Sequence, residues 1–269
     1  MKILVRDMQT EDEAFVGTCS HVKETKKWTA SCARRVPWLC RQREHGLRVK
    51  VALVDGEHAG FLYMMPIEIA PWGPAGRDLM SIQCLFVQEA MAGQGVGRAL
   101  IKAAEREAHV QEQHGLVVTG FHHDFWFMPA PFFEKCGFTV AARKDNIAIL
   151  WKPFSLSAEP PHFIERNYSF SPLPEKVAID LFWSHSCQTI DTEAQRVREV
   201  AEEFGEAVAL RTYCADDPTV RDRYGIHRGI FIEGEEIGWG YEAPREGLRE
   251  AIRSALAAKS GDEPEGETP

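Results

Sequence analysis

Leu85-Phe86-Val87-Gln88-Glu89-Ala90-Met91-Ala92-Gly93-Gln94-Gly95-Val96-Gly97-Arg98-Ala99-Leu100 is the stretch that decides the fold of the first half of this chain. An apolar strand over 79–87 runs into a loop with glycines at 93, 95 and 97. A helix over 98–114 follows at once, with Ala99, Leu100, Ala103, Ala104 and Ala108 on one stripe. Helix N-termini expose unsatisfied N–H groups and the positive end of the dipole, and glycines let a phosphate approach the backbone. The stretch reads as a pyrophosphate cradle; the plainer alternative is a tight turn that holds nothing. It is not the dinucleotide-binding fingerprint, because the third-glycine spacing is missing and no ribose-binding acid stands roughly 20 residues on. It is not a P-loop either, since no Lys-Ser/Thr follows.

Working outward, the first half reads as strands at 2–6, 48–54, 59–64, 79–87, 115–121, 138–141 and 147–151. Helices fall at 12–19, 98–114 and 129–136, giving the order β-α-β-β-β-α-β-α-β-β. Asp55-Gly56-Glu57 is the turn of a hairpin. No fixed-period repeat is visible. From 153 to 174, Pro153, Pro160, Pro161, Pro172 and Pro174 interrupt a Ser-rich stretch, which reads as a linker. The second half is shorter, with strands at 176–183, 207–213, 230–232 and 237–239 and helices at 191–204, 218–224 and 244–256. Its order is β-α-β-α-β-β-α. The expected organisation is a domain over 1–152, the linker 153–174, a second domain over 175–258 and a disordered acidic tail over 259–269. The fold class is α/β, with an α+β mixed sheet.

A length of 269 residues allows one large domain or two ordinary ones. With 44% hydrophobic and 26% charged residues, the composition is that of a folded soluble protein rather than a disordered one. No apolar run approaches the roughly 20 residues of a membrane span. Charge arrives at once in Met1-Lys-Ile-Leu-Val-Arg6-Asp7, which leaves no room for the apolar core of a signal peptide. A net charge of −9 argues against non-specific wrapping of nucleic acid. Seven scattered cysteines read as reduced thiols, so the expected location is the cytoplasm.

Gly93-Gln94-Gly95-Val96-Gly97-Arg98-Ala99-Leu100 after a strand resembles the acyl-CoA loop of the GNAT acetyltransferase superfamily. Phe132-Phe133-Glu134-Lys135-Cys136-Gly137-Phe138 resembles its other common motif, and the spacing and element order fit over 1–152. The resemblance implies a splayed pair of strands, ending near Val87 and Phe121, with the acyl thioester of acetyl-CoA between them. It implies that backbone N–H groups of Gln94, Gly95, Val96, Gly97 and Arg98 hold the pyrophosphate. Backbone around Leu85, Phe86 and Val87 would pair with the pantetheine arm and polarise the thioester carbonyl. The implied chemistry is direct attack of a deprotonated amine, on a small-molecule or peptide acceptor, with a base for the ammonium and an acid for the leaving thiolate. The chain departs from the family pattern at two places. Ala92 replaces the usual Arg or Gln, and Phe133 stands where a Tyr often acts as the acid.

His122-His123-Asp124 follows the strand 115–121, beside the place where the acceptor amine should arrive. Neutral histidine is a suitable base at pH 7 and an aspartate can orient it. Glu68, at the end of the second hairpin strand, is the other candidate, against the reading of a solvated carboxylate. Phe125, Trp126 and Phe127 could wall an acceptor pocket or simply be core. Between Lys23 and Lys50, eight cations interleave with Trp28 and Trp38. In this fold that segment would roof the acceptor site; a solvated helix face is the favoured reading. Cys19, His21, Cys32, Cys40 and His45 lack C-x-x-C spacing, so no metal is expected.

In the second half, residues 177–183 followed by Ser184-His185-Ser186-Cys187 and a helix resemble a thioredoxin-fold domain. Redox members of that fold use both cysteines of C-x-x-C, but here Ser184 takes the first position and only Cys187 remains. Ile226-His227-Arg228-Gly229 lacks the usual cis-proline. Dithiol oxidoreductase activity is therefore not expected, and Cys187 is either a single reactive thiol or part of a structural module. The tandem arrangement resembles a bacterial family named for its YoaP-like C-terminal region. The readings in play are an amine acetyltransferase, a thiol-dependent redox or transfer protein centred on Cys187, and a CoA-binding sensor without turnover.

Overall fold

A computed structural model describes residues 2–19, 30–123, 127–240 and 242–260. The chain divides into two compact units, Met1–Glu165 and Arg166–Pro269.

In the first unit, β1 (Ile3–Asp7), β2 (Arg48–Val54), β3 (Glu57–Pro66), β4 (Met80–Val87), β5 (Gly115–Phe121), β6 (Thr139–Lys144) and β7 (Ile147–Pro153) form one sheet. Its order is β1-β2-β3-β4-β5-β7-β6. Every neighbouring pair is antiparallel except β4 and β5. The β2–β3 hairpin turns through Asp55 at φ +50° and Gly56 at φ +94°, the double positive φ of a two-residue type I′ turn.

Helix α3 (Val96–Val110) buries Val96, Leu100, Ile101, Ala103, Ala104 and Ala108. With α4 (Ala130–Glu134) it covers one sheet face, over a core that includes Leu62, Met64, Met80, Ile82, Leu116, Val118 and Phe133. The opposite face packs Val49, Val51, Phe61, Tyr63 and Cys84 against Phe15 and Val16 of α1 (Glu13–Thr18) and Trp38 and Leu39 of α2 (Ala30–Gln42). Sequence reading left 30–42 without an element of its own and favoured a solvated face for its cations. The structure corrects that reading at Arg35, which is 1% exposed, donates to the Val16 carbonyl at 2.6 Å and lies over the Tyr63 ring. The start of that cationic segment, with Lys23, Lys26, Lys27 and Trp28, lies outside the described residues, as do 124–126 and the tail 261–269.

A buried carboxylate locks the first turn of α1 to the sheet. Asp12 is fully buried and accepts from the Gln9 N–H at 2.7 Å, from His58 Nε2 at 2.7 Å and from both terminal nitrogens of Arg6. Burial pushes its carboxyl up, but the bonds from Arg6, Gln9 and His58 together outweigh that and hold it below its ordinary value. A depressed carboxylate pKa contributes stability above the unfolded value, roughly 3.9, and that contribution is lost as pH falls through the folded value. Asp12→Asn should therefore cost about 2 kcal/mol at pH 7. Urea unfolding of both proteins at pH 7 and pH 3 checks this: the gap should narrow at the lower pH, and an equal gap at both refutes the assignment.

In the second unit, β8 (Val177–Trp183), β9 (Val208–Cys214), β10 (Gly229–Ile232) and β11 (Glu235–Ile237) form a sheet of order β11-β10-β8-β9. β8 and β9 are parallel, and the other pairs are antiparallel. α5 (Gln188–Glu203) and α7 (Arg245–Ser260) contribute Ala194, Val197, Leu248 and Ile252 to the core on one face. α6 (Pro218–Tyr224) supplies Tyr224 to the other, aromatic face with Tyr168, Phe182, Tyr213 and Phe231.

The proline-rich connector is not free at either end. Its His162 bridges to Ala75 within the first unit, while the Tyr168 ring lies 4.3 Å from the Phe231 ring, tilted by 35°, within the second.

Candidate active site

The only parallel pair of the large sheet among the described residues, β4 with β5, stays paired for three residues. Met80, Ser81 and Ile82 face Leu116, Val117 and Val118, after which β4 follows β3 to Val87 and β5 follows β7 to Phe121. From Gln83 onward the two strands diverge, so their facing edges no longer satisfy each other. A break in the β3 ladder between Tyr63 and Met64 makes Gln83 the extra residue on β4 and marks where the divergence starts. An open edge of this kind accepts an extended ligand by backbone pairing. Leu85, Phe86 and Val87 lie on it.

At the open end the glycine loop delivers the N-terminus of α3. Gly95 caps the helix at φ +87° with no side-chain cap, and Gly93 has φ +75°. Ala99 N–H already bonds the Gly95 carbonyl, whereas the N–H groups of Val96, Gly97 and Arg98 have no acceptor among the described residues. A Cβ at Gly93 would meet nothing within 4 Å, and one at Gly95 only Ile3 Cδ1 at 4.0 Å. Gly97 is different, since a Cβ there would lie 3.0 Å from the Phe132 ring. The loop thus leaves open space beside unpaired backbone donors, which fits a pyrophosphate.

The closed end of the wedge, on the face shared with α1 and α2, has a polar floor that sequence reading missed. Ser81, Gln83 and Thr119 are all at least nine-tenths buried. Gln83 Nε2 donates to Ser81 Oγ at 2.8 Å and to the Trp72 carbonyl at 3.2 Å, while its Oε1 has no partner. Gly73 at φ +104° lies across the three, its Cβ direction 3.5 Å from Thr119 Oγ1 and 3.8 Å from Ser81 Oγ. Trp72 and Phe127 add an aromatic wall, with ring centroids 6.2 Å apart. The available signal was a glutamine and a serine two apart inside the otherwise apolar strand Met80–Val87.

The proposed acid–base residues do not converge. His122 follows β5 at the open end, and its backbone N–H bonds the Asn146 carbonyl at 2.7 Å. Its Nε2 lies 4.0 Å from Glu134 Oε1 of α4, too far for a hydrogen bond. The exposed His123 ring stacks on Phe121 at 5.2 Å. Glu68 stands at the other end of the strands, where its Oε1 accepts from the Asp78 N–H at 2.7 Å and clamps the loop before β4. Phe133 is fully buried between Phe132 and Phe138, so the position that often carries a Tyr is core here. Nearby, burial pushes the Cys136 thiol up, partly offset by Arg98 and Lys152.

In the second unit, Cys187 caps α5 in extended backbone geometry and is partly exposed. Arg228 lies within electrostatic reach of it, held by Glu193 through bonds of 2.8 and 3.0 Å. His227 is pushed down to about 4 by burial and by the cations Arg228 and Arg166. The Ser184 and Ser186 hydroxyls bond each other at 2.7 Å and are buried.

Residues 45–140 match the family model described as acetyltransferase (GNAT) domain. That stretch contains β2 through α4, and hence the wedge and the cradle. The matched stretch lies within the first unit. No curated protein matches the chain. Similar solved structures include the paia N-acetyltransferase from Thermoplasma acidophilum in complex with coenzyme A, 16% identical, covering 57% of this chain and 100% of that one at a TM-score of 0.44. A GNAT family acetyltransferase from Brucella melitensis in complex with acetyl-CoA is 16% identical, with coverage of 60% and 93% and a TM-score of 0.40. The ribosomal-protein-alanine N-acetyltransferase of Brucella melitensis is 19% identical, with coverage of 56% and 99% and a TM-score of 0.44. No described helix is long and apolar enough to cross a membrane.

Proposed function

We propose that this chain moves an acetyl group from acetyl-CoA to the amine of a small-molecule or peptide acceptor by direct attack on the thioester. The observation that carries the reading is the wedge between β4 and β5 opening beside a glycine-lined helix N-terminus with free N–H groups. The family match over 45–140 supports it.

In this reading Gln94, Gly95, Val96, Gly97 and Arg98 hold the pyrophosphate through backbone donors. The open edge at Leu85, Phe86 and Val87 takes the pantetheine arm and orients the thioester carbonyl toward N–H groups. His122 is the base candidate that the strand end favours. Nothing replaces the tyrosine at Phe133, so the thiolate leaves without that acid. Gln83 Oε1 is the unpaired acceptor on the polar floor, and it accepts a hydrogen bond from an N–H of the attacking amine. Glu68 holds the loop rather than the proton, and His123 contributes a stacked ring at the rim.

We propose further that 175–258 is a thioredoxin-like, YoaP-like module, joined through 153–174 to the transferase domain over 1–152 and followed by the tail 259–269. Its support is the order β-α-β-α-β-β-α and the sheet order β11-β10-β8-β9 with a single parallel pair. With one cysteine at 187, it serves as a binding or structural module rather than a dithiol oxidoreductase. A cytoplasmic location fits the seven scattered cysteines.

The test is loss of thioester absorbance from acetyl-CoA with a panel of primary amines and amino-terminal peptides, using wild type and Gln83→Leu. Amine-dependent turnover is expected in the wild type. In Gln83→Leu the acceptor KM should rise roughly 10- to 100-fold, the worth of one hydrogen bond to an amine, with acetyl-CoA affinity unchanged. Acetyl-CoA binding with no turnover on any amine would favour a sensor instead.

A further inference from the structure

The second unit holds a cluster that neither the transferase site nor the Cys187 reading uses. His185, Cys214 and Asp216 place one donor atom each within 4.8 Å of one another. They come from the loops that leave β8 and β9, the one parallel pair of this sheet, at the carboxyl ends of those strands. Loops at that edge are where open α/β sheets gather ligand-binding groups. The two loops are tied by the Ala215 N–H to the Trp183 carbonyl at 2.8 Å, so the cluster is held by backbone. His185 Nδ1 lies 2.5 Å from Asp216 Oδ2, the Cys214 thiol donates to the same oxygen at 3.4 Å, and the His185 N–H approaches both carboxylate oxygens at 3.3 Å.

We propose that His185, Cys214 and Asp216 form a site for a divalent transition-metal ion of the zinc type. Imidazole, thiolate and carboxylate are the donor set of such borderline ions rather than of magnesium or calcium. The charges close: one thiolate and one carboxylate neutralise a dication, and the histidine binds neutral. The step releases one proton, as the Cys214 S–H bond gives way to a sulfur–metal bond. His185 shifts its own proton from Nδ1 to Nε2 and frees Nδ1 to bind. Three protein ligands leave a fourth position for water or a small ligand, the arrangement of an open site. All three side chains are partly exposed, which leaves an entry path.

The experiment titrates reduced, metal-free full-length protein with Co2+ alone and then with Zn2+. One Co2+ per chain is expected, with a thiolate-to-cobalt charge-transfer band that Zn2+ abolishes. Cys214→Ser should lose the band. His185→Asn and Asp216→Asn should keep a weaker one, with affinity reduced at least ~10-fold, since even the partners that orient metal ligands are worth that much. Thermal unfolding of each variant without metal establishes that it is folded, and any one folded variant decides. A band that survives Cys214→Ser, or no band in the wild type at millimolar Co2+, overturns the site and leaves the cluster a hydrogen-bonded His–Asp–thiol group.

Discussion

Gly95→Trp leaves a folded protein that acetyl-CoA no longer stabilises. In the wild type, acetyl-CoA at 100 times its Kd raises the unfolding free energy by roughly 2.7 kcal/mol, because it binds only the folded state. Gly95 stands at the mouth of the cradle at φ +87°, with open space in its Cβ direction, so the new side chain projects over the donors of Val96, Gly97 and Arg98 instead of into the core. The substitution has its own cost, of the order of 1–2 kcal/mol for a residue with a Cβ in left-handed geometry. Unfolding without ligand measures that cost separately. The expected readout is a modest drop in midpoint for the variant alone and no upward shift on adding millimolar acetyl-CoA. An undiminished shift in the variant would refute the cradle. Gly97 is the poorer probe, because its Cβ would press on Phe132 at 3.0 Å and mix packing with binding.

Arg211→Ala should produce the largest loss of stability of any single substitution in the second unit. Asp180 is 1% exposed in the centre of the sheet, directly across the parallel ladder from Arg211. Arg211 Nε and Nη2 hold its two oxygens at 2.5 and 2.6 Å, and the Tyr168 hydroxyl donates at 2.7 Å. Burial and the Asp180 charge push the Tyr168 hydroxyl well above its ordinary value, so it stays a donor at any working pH. Removing the guanidinium strands a buried carboxylate, which costs about 3–5 kcal/mol. For a unit of this size that is roughly 12 °C or more in midpoint. The double variant Asp180→Leu with Arg211→Leu should recover most of the loss, because the penalty lies in the unpaired charge rather than in the missing attraction. A loss below about 1 kcal/mol in Arg211→Ala would mean that water already reaches the pair.

Much of the fold was legible because its signals are local. Asp55-Gly56 and Glu233-Gly234 each combine two positive φ values at a two-residue hairpin turn, and the residues themselves announce it. The strand Gly115–Phe121 and the helix Pro218–Tyr224 end where the apolar pattern ends. The helix Ala30–Gln42 was not legible as an element, since Pro37 and a run of cations mask the stripe that buries Val36, Trp38 and Leu39. Its Arg35 shows why: the cation is satisfied by the carbonyls of Val16 and Gly17 and by the Tyr63 ring, partners 18 to 28 positions away.

The candidate site divides along the same line. Glycine spacing before a helix marked the candidate cradle, because conformational freedom and free N–H groups are properties of a few consecutive residues. The divergence of β4 from β5, by contrast, depends on each strand keeping a different outer neighbour, β3 or β7, and no local stretch encodes that. The floor of Ser81, Gln83 and Thr119 exists only because two strands 30-odd positions apart lie side by side under Gly73. His185 meets Cys214 and Asp216 across a parallel connection that includes the whole of α5, so their spacing carries no recognisable metal motif. Glu68 reads as a candidate base on its own, yet the fold carries it to the closed end and gives it to the Asp78 amide. The sequence by itself determined most of the elements, their turns and the glycine loop, since these follow from backbone preference and apolar period. Which side chains meet was decided by the tertiary structure alone, because strand pairing fixes distances between residues far apart in the chain.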